Sequence, residues 1–171
     1  MRRYFARDDR GVVSVEFALA AVMIMTAMLN AADVGGYVYQ SLQVENAAQM
    51  GAQTALQTCT EAQLPATTTC SGLTGRIVAA VASTSLGSAI TVDGGQPTEA
   101  YYCVDGTSRL IHVGAIGSKP ANCSAVGKPA VMPGDYVVVA VSYSFKPLMP
   151  GASVAALLTT PIRRSSIMRV G

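Results

Sequence analysis

The sequence predicts an α+β fold: one long N-terminal helix, membrane-spanning over its first part, runs on into a head with a second helix and an antiparallel β-sheet. Three observations predict it. Residues 12–29 are apolar except for Ser14, Glu16 and Thr26. No proline occurs between residues 12 and 58, so a helix begun in the apolar run has nothing to stop it. The second half alternates β-branched and aromatic runs with Gly- and Asp-bearing turn sequences, the pattern of short strands. The organisation expected is a basic leader over 1–11, a helix over 12–58 that spans the membrane at 12–29, and a head over 59–171.

Composition agrees with one domain plus an anchor. Of 171 residues, 13% are charged and 50% hydrophobic, low and high respectively for a soluble domain. The net charge of +2 is scattered and forms no basic stripe, which excludes a nucleic-acid partner. The leader carries Arg2, Arg3, Arg7 and Arg10 against Asp8 and Asp9. Arginines ahead of an apolar run place the N-terminus in the cytoplasm and the remainder outside. A secretory signal would share the basic start and apolar run, but needs a small residue three positions before its cut. Around Asn30-Ala31-Ala32 that position is Leu29 or Asn30.

Residues 12–29 would rise roughly 27 Å as a helix, enough to cross a hydrocarbon core. Glu16 is out of place there, because a carboxylate at the bilayer centre costs about 2.5–3.5 kcal/mol, and less near an edge. Gly11 offers an explanation. It weakens the helix between leader and span, and a cut after it would give Val12 a free amine. That amine lies one turn before Glu16, or within reach of a neighbouring subunit's Glu16, so the pair could neutralise both charges in lipid. The helix dipole would favour the carboxylate in the new first turn.

Gly11 with Glu16 and Phe17 five and six residues later resembles the processing site of type IV prepilins of the Flp class. The surrounding Arg10-Gly11-Val12-Val13-Ser14-Val15-Glu16-Phe17-Ala18-Leu19 is similar to the TadE-like minor pilins (pseudopilins) of the tight-adherence system. Pro133-Gly134-Asp135-Tyr136-Val137-Val138-Val139, Phe145-Lys146-Pro147-Leu148 and the closing Ile167-Met168-Arg169-Val170 are similar as well. The likeness covers about the first 20 residues closely and the last 40 loosely. One departure is the absence of a proline soon after the Glu-Phe pair, which bears on the helix's shape rather than its processing.

Beyond the span, Gln43, Glu45, Ala47, Ala48 and Met50 favour continued helix, with Val34, Val38 and Leu42 forming an apolar stripe. Ala48, Gly51, Ala52 and Ala55 make a small-residue face suited to close packing, and Gly35-Gly36 marks a point of possible bending. Continuous from 12 to 58, the rod would be roughly 70 Å long. A Thr-rich loop with Pro65 follows, then a second helix over 73–86 with Leu73, Ile77, Val78, Val81 and Leu86 on one side. Strands are expected at 89–92, 100–104, 110–113, 136–145 and 162–170, with Asp105-Gly106-Thr107-Ser108 closing a hairpin. The apolar run 137–141 suits a central strand buried on both faces, and Arg163, Arg164 and Arg169 suit a charge-protected edge.

Four cysteines on the exported side, Cys59, Cys70, Cys103 and Cys123, read as two disulfides. Three pairings are open; Cys59–Cys70 with Cys103–Cys123 closes the shortest loops and is preferred. No C-x-x-C spacing supports a metal site. His112, the lone histidine, falls within a hairpin strand and serves better as a strand residue than as a catalyst. Glu61, Asp93, Glu99, Asp105 and Asp135 fall mostly at turns or strand starts, where turn chemistry accounts for them. No phosphate-binding loop or cofactor motif is present.

The resemblance implies a non-enzymatic structural subunit with a pilin-like head. Gly11 and Val12 would be the cleavage pair of a prepilin peptidase, Glu16 would register the subunit against a neighbour, and Phe17 would complete the recognition motif. The implied partners are that peptidase, the inner-membrane assembly platform, membrane lipid, other minor pilins and, beyond them, the major Flp pilin. The implied location is the bacterial inner membrane, crossed once, with the head periplasmic or carried into the extracellular pilus. The implied outcome is pilus assembly, adhesion and biofilm formation. The competing expectation is a signal-anchored periplasmic enzyme or ligand-binding domain, which would show a pocket with convergent titratable groups.

Overall fold

The computed structural model describes residues 9–171, with side chains from residue 13 onward. The leader residues 1–8, on which the expected orientation rests, lie outside the described residues, and of Gly11 and Val12 only the backbone is described. The chain forms two compact units. One combines Met1–Val38 with Lys146–Thr159, and the other combines Tyr39–Phe145 with Thr160–Gly171.

A single helix, α1 (Asp9–Thr58), passes through both. Gly35 and Gly36 lie within it without a break, because two glycines cost only about 1 kcal/mol each relative to alanine. The helix ends where the Cys59 N–H makes the last helical bond, to the Ala55 carbonyl at 3.2 Å. A loop follows that holds the short helix α2 (Ala66–Thr69) and is closed by the disulfide Cys59–Cys70. Helix α3 (Leu73–Ala82) buries Leu73, Ile77 and Val81 at four-residue spacing. It stops four residues short of expectation, and Val78 is exposed rather than on the packed side. The Ser83 and Thr84 hydroxyls turn back onto the Ala80 and Val81 carbonyls at 2.7 and 2.8 Å, offering the chain an alternative to further helix.

Five antiparallel strands follow: β1 (Ile90–Val92), β2 (Thr98–Val104), β3 (Leu110–Ala115), β4 (Gly134–Tyr143) and β5 (Ile162–Arg169). β4 is central. One of its edges pairs with β5 over Tyr136–Arg169 to Tyr143–Ile162. Its other edge pairs first with β2, at residues 134–138, and then with β1, at residues 141–143. β3 continues the sheet beyond β2, so β3 and the short β1 are edges on that side and β5 is the edge on the other. The disulfide Cys103–Cys123 ties β2 to the long segment after β3.

Val137, Val139 and Val141 are fully buried, whereas Val138, Ala140 and Ser142 between them are only half-buried. β4 is therefore not buried on both faces, as its run of valines suggested; the alternation of an ordinary one-sided sheet applies. The covered face is packed by α3 and by the second part of α1. Here the small residues matter: a Cβ at Gly51 would stand 2.9 Å from Val139 Cγ1 and 3.0 Å from Val81 Cγ2. Val44, Ala47, Ala48, Ala52 and Ala55 complete the buried seam. The stripe Val34, Val38 and Leu42 is exposed, because the close approach selects the small-residue side of the helix instead. On the open face, Tyr102 makes edge contacts with Tyr136 and His112, at 5.6 and 5.5 Å between ring centres.

Candidate functional site

In α1 the side chains of residues 13–29 are exposed on all sides of the helix, Ala21 alone being partly covered. Val13, Val15, Phe17, Leu19, Val22, Met23, Ile24, Met25 and Met28 lie open, with Phe17 74% exposed. A helix apolar around its whole circumference and uncovered by its own chain is suited to lipid. Within α1, Val13–Thr58 contains a window long and apolar enough to cross a membrane. Its polar groups suit that setting: the Thr26 hydroxyl donates to the Val22 carbonyl at 2.8 Å, and Asn30 Nδ2 donates to the Thr26 carbonyl at 2.9 Å. These intrahelical bonds satisfy the polar donors of both side chains. Glu16 differs. Its carboxylate is exposed and has no hydrogen-bond or ion-pair partner among the described residues. With α1 beginning at Asp9, Glu16 also lies two turns inside the helix, beyond the first turn where the dipole stabilises a carboxylate.

Just past the apolar run, α1 carries three polar side chains at positions i, i+3 and i+7, hence on one face. Asn30 Oδ1 accepts the Val154 N–H at 2.7 Å, Asp33 Oδ1 accepts the Leu148 N–H at 2.7 Å, and the Tyr37 hydroxyl donates to the Thr159 carbonyl at 3.0 Å. The segment Lys146–Thr159 is thereby fastened along the helix. Asp33 is 2% exposed; its Oδ2 lacks a partner of standard geometry, although the Ser153 hydroxyl and the Met149 N–H face the same carboxylate. Sequence reasoning missed this clasp. Its signal was the spacing of Asn30, Asp33 and Tyr37.

A second polar cluster lies in the head. On the covered face of the sheet, Glu99 and Tyr101 of β2 stand beside Asp135 of β4, with Tyr101 opposite Asp135 and Glu99 opposite Val137. Glu99 Oε1 accepts the Ala66 N–H at 2.7 Å, and Oε2 accepts the Thr67 N–H and hydroxyl, both at 2.6 Å. This carboxylate holds the disulfide-closed loop onto the sheet. Burial, then the charge and hydrogen bonding of Glu99, push the Asp135 carboxyl up to about 6; Lys119 and the Tyr136 N–H oppose the rise. Lys119 itself sits over the Tyr101 ring, 5.4 Å from its centre. Turn chemistry therefore fails for Glu99 and Asp135, although it holds for Asp105, whose Oδ1 accepts the Thr107 and Arg109 N–H groups at 2.7 and 2.9 Å.

The remaining candidates are placed plainly. The four cysteines form Cys59–Cys70 and Cys103–Cys123, with Cα separations of 5.8 and 5.7 Å. His112 is exposed on β3, and its side chain makes no hydrogen bond among the described residues. Arg164 is tied to the Ser41 hydroxyl at 2.6 Å and to the Arg163 carbonyl at 3.0 Å, and Arg169 Nε bonds the Gly171 carbonyl at 2.8 Å. One open cleft of the head is lined by Val78, Val81, Ile90 and Val92 among others, and a second by Thr67, Thr68, Thr98 and Glu99. Among the described residues lining these two clefts, Glu99 is the one titratable group, and its oxygens already hold backbone donors.

A family model described as TadE-like protein matches residues 11–53. The matched stretch opens at Gly11, contains Glu16 and Phe17, takes in Asn30, Asp33 and Tyr37, and ends within the buried small-residue seam of α1. Comparison with curated proteins and with solved structures gives no match. Over residues 11–53 the chain is thus similar to TadE-like proteins, consistent with a TadE-like protein of the Tad/Flp pilus system, and this segment continues into an α+β head.

Proposed function

We propose that this chain is a minor pilin or pseudopilin cut by a prepilin peptidase between Gly11 and Val12. Residues 12–29 then hold it in the bacterial inner membrane, N-terminus at the cytoplasmic side and head in the periplasm. There it takes part in Flp pilus assembly and, through the pilus, in adhesion and biofilm formation. Its partners are the peptidase, the assembly platform, other minor pilins and the major Flp pilin.

The observation that carries this reading is Glu16: an exposed carboxylate, without a partner among the described residues, within an apolar helix whose described neighbours do not cover it. Left alone in lipid it costs about 2.5–3.5 kcal/mol at full depth. Cleavage after Gly11 changes two terms at once. It brings the helix start to within a turn of Glu16, where the dipole favours a carboxylate by about 0.3–1 kcal/mol. It also creates a cation, the Val12 amine, that a neighbouring subunit can present to Glu16. Phe17, 74% exposed beside it, is available to the peptidase in the membrane. Because Gly11 lies within α1, the helix must open there to reach a protease; glycine lowers that cost.

The test is Glu16→Ala in the native host, with recovery of the other pilus subunits by co-purification. The expected result is loss of the assembled complex at an unchanged membrane level and with both disulfides intact. Assembly that proceeds unaltered contradicts the role assigned to Glu16.

A further inference from the structure

The segment Lys146–Thr159 has its polar and apolar groups arranged inversely to an ordinary surface loop. Much of its backbone N–H complement is bonded within its own unit. The Leu148 and Val154 N–H groups bond Asp33 and Asn30, and the Thr159 carbonyl accepts from Tyr37. The Ala152 and Ser153 N–H groups bond the Met149 carbonyl at 3.2 and 3.1 Å, the Ala155 N–H bonds Ser153 Oγ at 3.1 Å, and the Leu158 N–H bonds the Ala155 carbonyl at 3.1 Å. Meanwhile Leu148, Val154 and Leu157 point outward, 71%, 54% and 86% exposed. Internally bonded N–H groups with apolar side chains outside suit a surface that meets the interfacial layer of a bilayer. Lys146 is the one charged residue of the segment, at its start.

Position along α1 sets the depth. Asn30 is the first residue after the apolar run, and Asp33 and Tyr37 follow at about 4.5 and 10 Å along the axis. Val154, bonded to Asn30, and the 3₁₀ turn Val154–Leu157 that it begins therefore stand level with the end of the span. We propose that Lys146–Thr159 is a second membrane contact. In this role Leu148, Val154 and Leu157 insert into the interfacial layer of the bilayer on the head side, as an apolar wedge clasped to the helix by Asn30, Asp33 and Tyr37. The wedge fixes how far α1 can slide along the membrane normal, which a helix of uninterrupted exposure does not do by itself. It rests on residues 12–29 being the span.

The experiment places a bimane label on the full chain at Leu157→Cys or at Met23→Cys, with both disulfides intact, in nanodiscs of phosphatidylethanolamine and phosphatidylglycerol. Lipids carry a nitroxide at a shallow or a deep acyl position. The expected result is at least twofold stronger quenching of the Leu157 label by the shallow nitroxide than by the deep one, with the reverse order at Met23. If the Met23 label is quenched and the Leu157 label is not, the wedge is overturned while the span stands. This holds whether aqueous iodide reaches the Leu157 label or a second subunit shields it. If the Met23 label is not quenched, the span and the wedge fall together. Leu148→Cys gives the same reading should a label at Leu157 impair folding.

Discussion

Asp135→Asn should stabilise the head at neutral pH and leave it unchanged in mild acid. Asp135 is 3% exposed and shares the covered face of the sheet with Glu99, whose carboxylate is committed to Ala66 and Thr67. Burial and that neighbouring charge raise the Asp135 carboxyl from 3.8 to about 6. In the unfolded chain the group titrates near its ordinary value. Its contribution is therefore fully favourable below about pH 3.8, and is lost as pH rises through about 6, because only the folded state resists ionisation. At roughly 1.4 kcal/mol per pH unit, full conversion gives about 3 kcal/mol. Lys119 and solvent at the exposed Gly171, whose carbonyl accepts the Asp135 N–H at 3.0 Å, reduce the expected effect to about 1–2 kcal/mol. An amide is neutral throughout and offers Glu99 an N–H. Urea unfolding of the full chain in detergent, followed by near-ultraviolet circular dichroism, should show the variant more stable by that amount at pH 7.5 and equal at pH 4. A variant less stable at pH 7.5, or a difference independent of pH, would refute the reasoning.

Other expectations follow from the same contacts. Glu99→Ala leaves three donors of the Cys59–Cys70 loop without an acceptor and should cost on the order of 2–4 kcal/mol, read as a lower urea midpoint and faster proteolysis within residues 60–69. Gly51→Leu drives a side chain into Val139 and Val81 and should cost about 1–3 kcal/mol by the same unfolding assay. Replacing both Cys103 and Cys123 by Ser opens a bridge between residues 20 apart and should cost about 3 kcal/mol, checked by unfolding with and without reductant. Asp33→Ala should release Lys146–Thr159 from α1, seen as new protease cutting there while the unfolding free energy of the rest of the head stays within about 0.5 kcal/mol.

Much of the fold was legible because its signals are local. The proline-free stretch gives α1, Asp105-Gly106-Thr107-Ser108 gives the hairpin between β2 and β3, and the valines of β4 mark its centre. The Gly11, Glu16 and Phe17 spacing is local in the same way, being contained in one helical stretch. What escaped depends on partners far away in sequence. Asn30, Asp33 and Tyr37 bond residues more than 110 positions distant, so their common face had no visible counterpart. Glu99 and Asp135 meet only through the register of β2 on β4. The alternation Asp135, Val137, Val139, Val141 did place that carboxyl on the buried face, but the continuous run of valines masked the period of two. The apolar stripe of α1 misled in another way: Val34, Val38 and Leu42 are exposed, and the face buried in the head is instead Val44, Gly51 and the alanines.

The most direct test of the account is the N-terminal residue of the protein isolated from its native membranes, read by sequencing and intact mass. Val12 as the first residue is the expected result, and it would supply the free amine that the role of Glu16 requires. An intact Met1 would leave Glu16 two turns inside an uncut helix with no such amine. A start near Ala32 would remove Glu16 from the mature protein altogether. Either of these would contradict the proposed processing and the assembly role built on it.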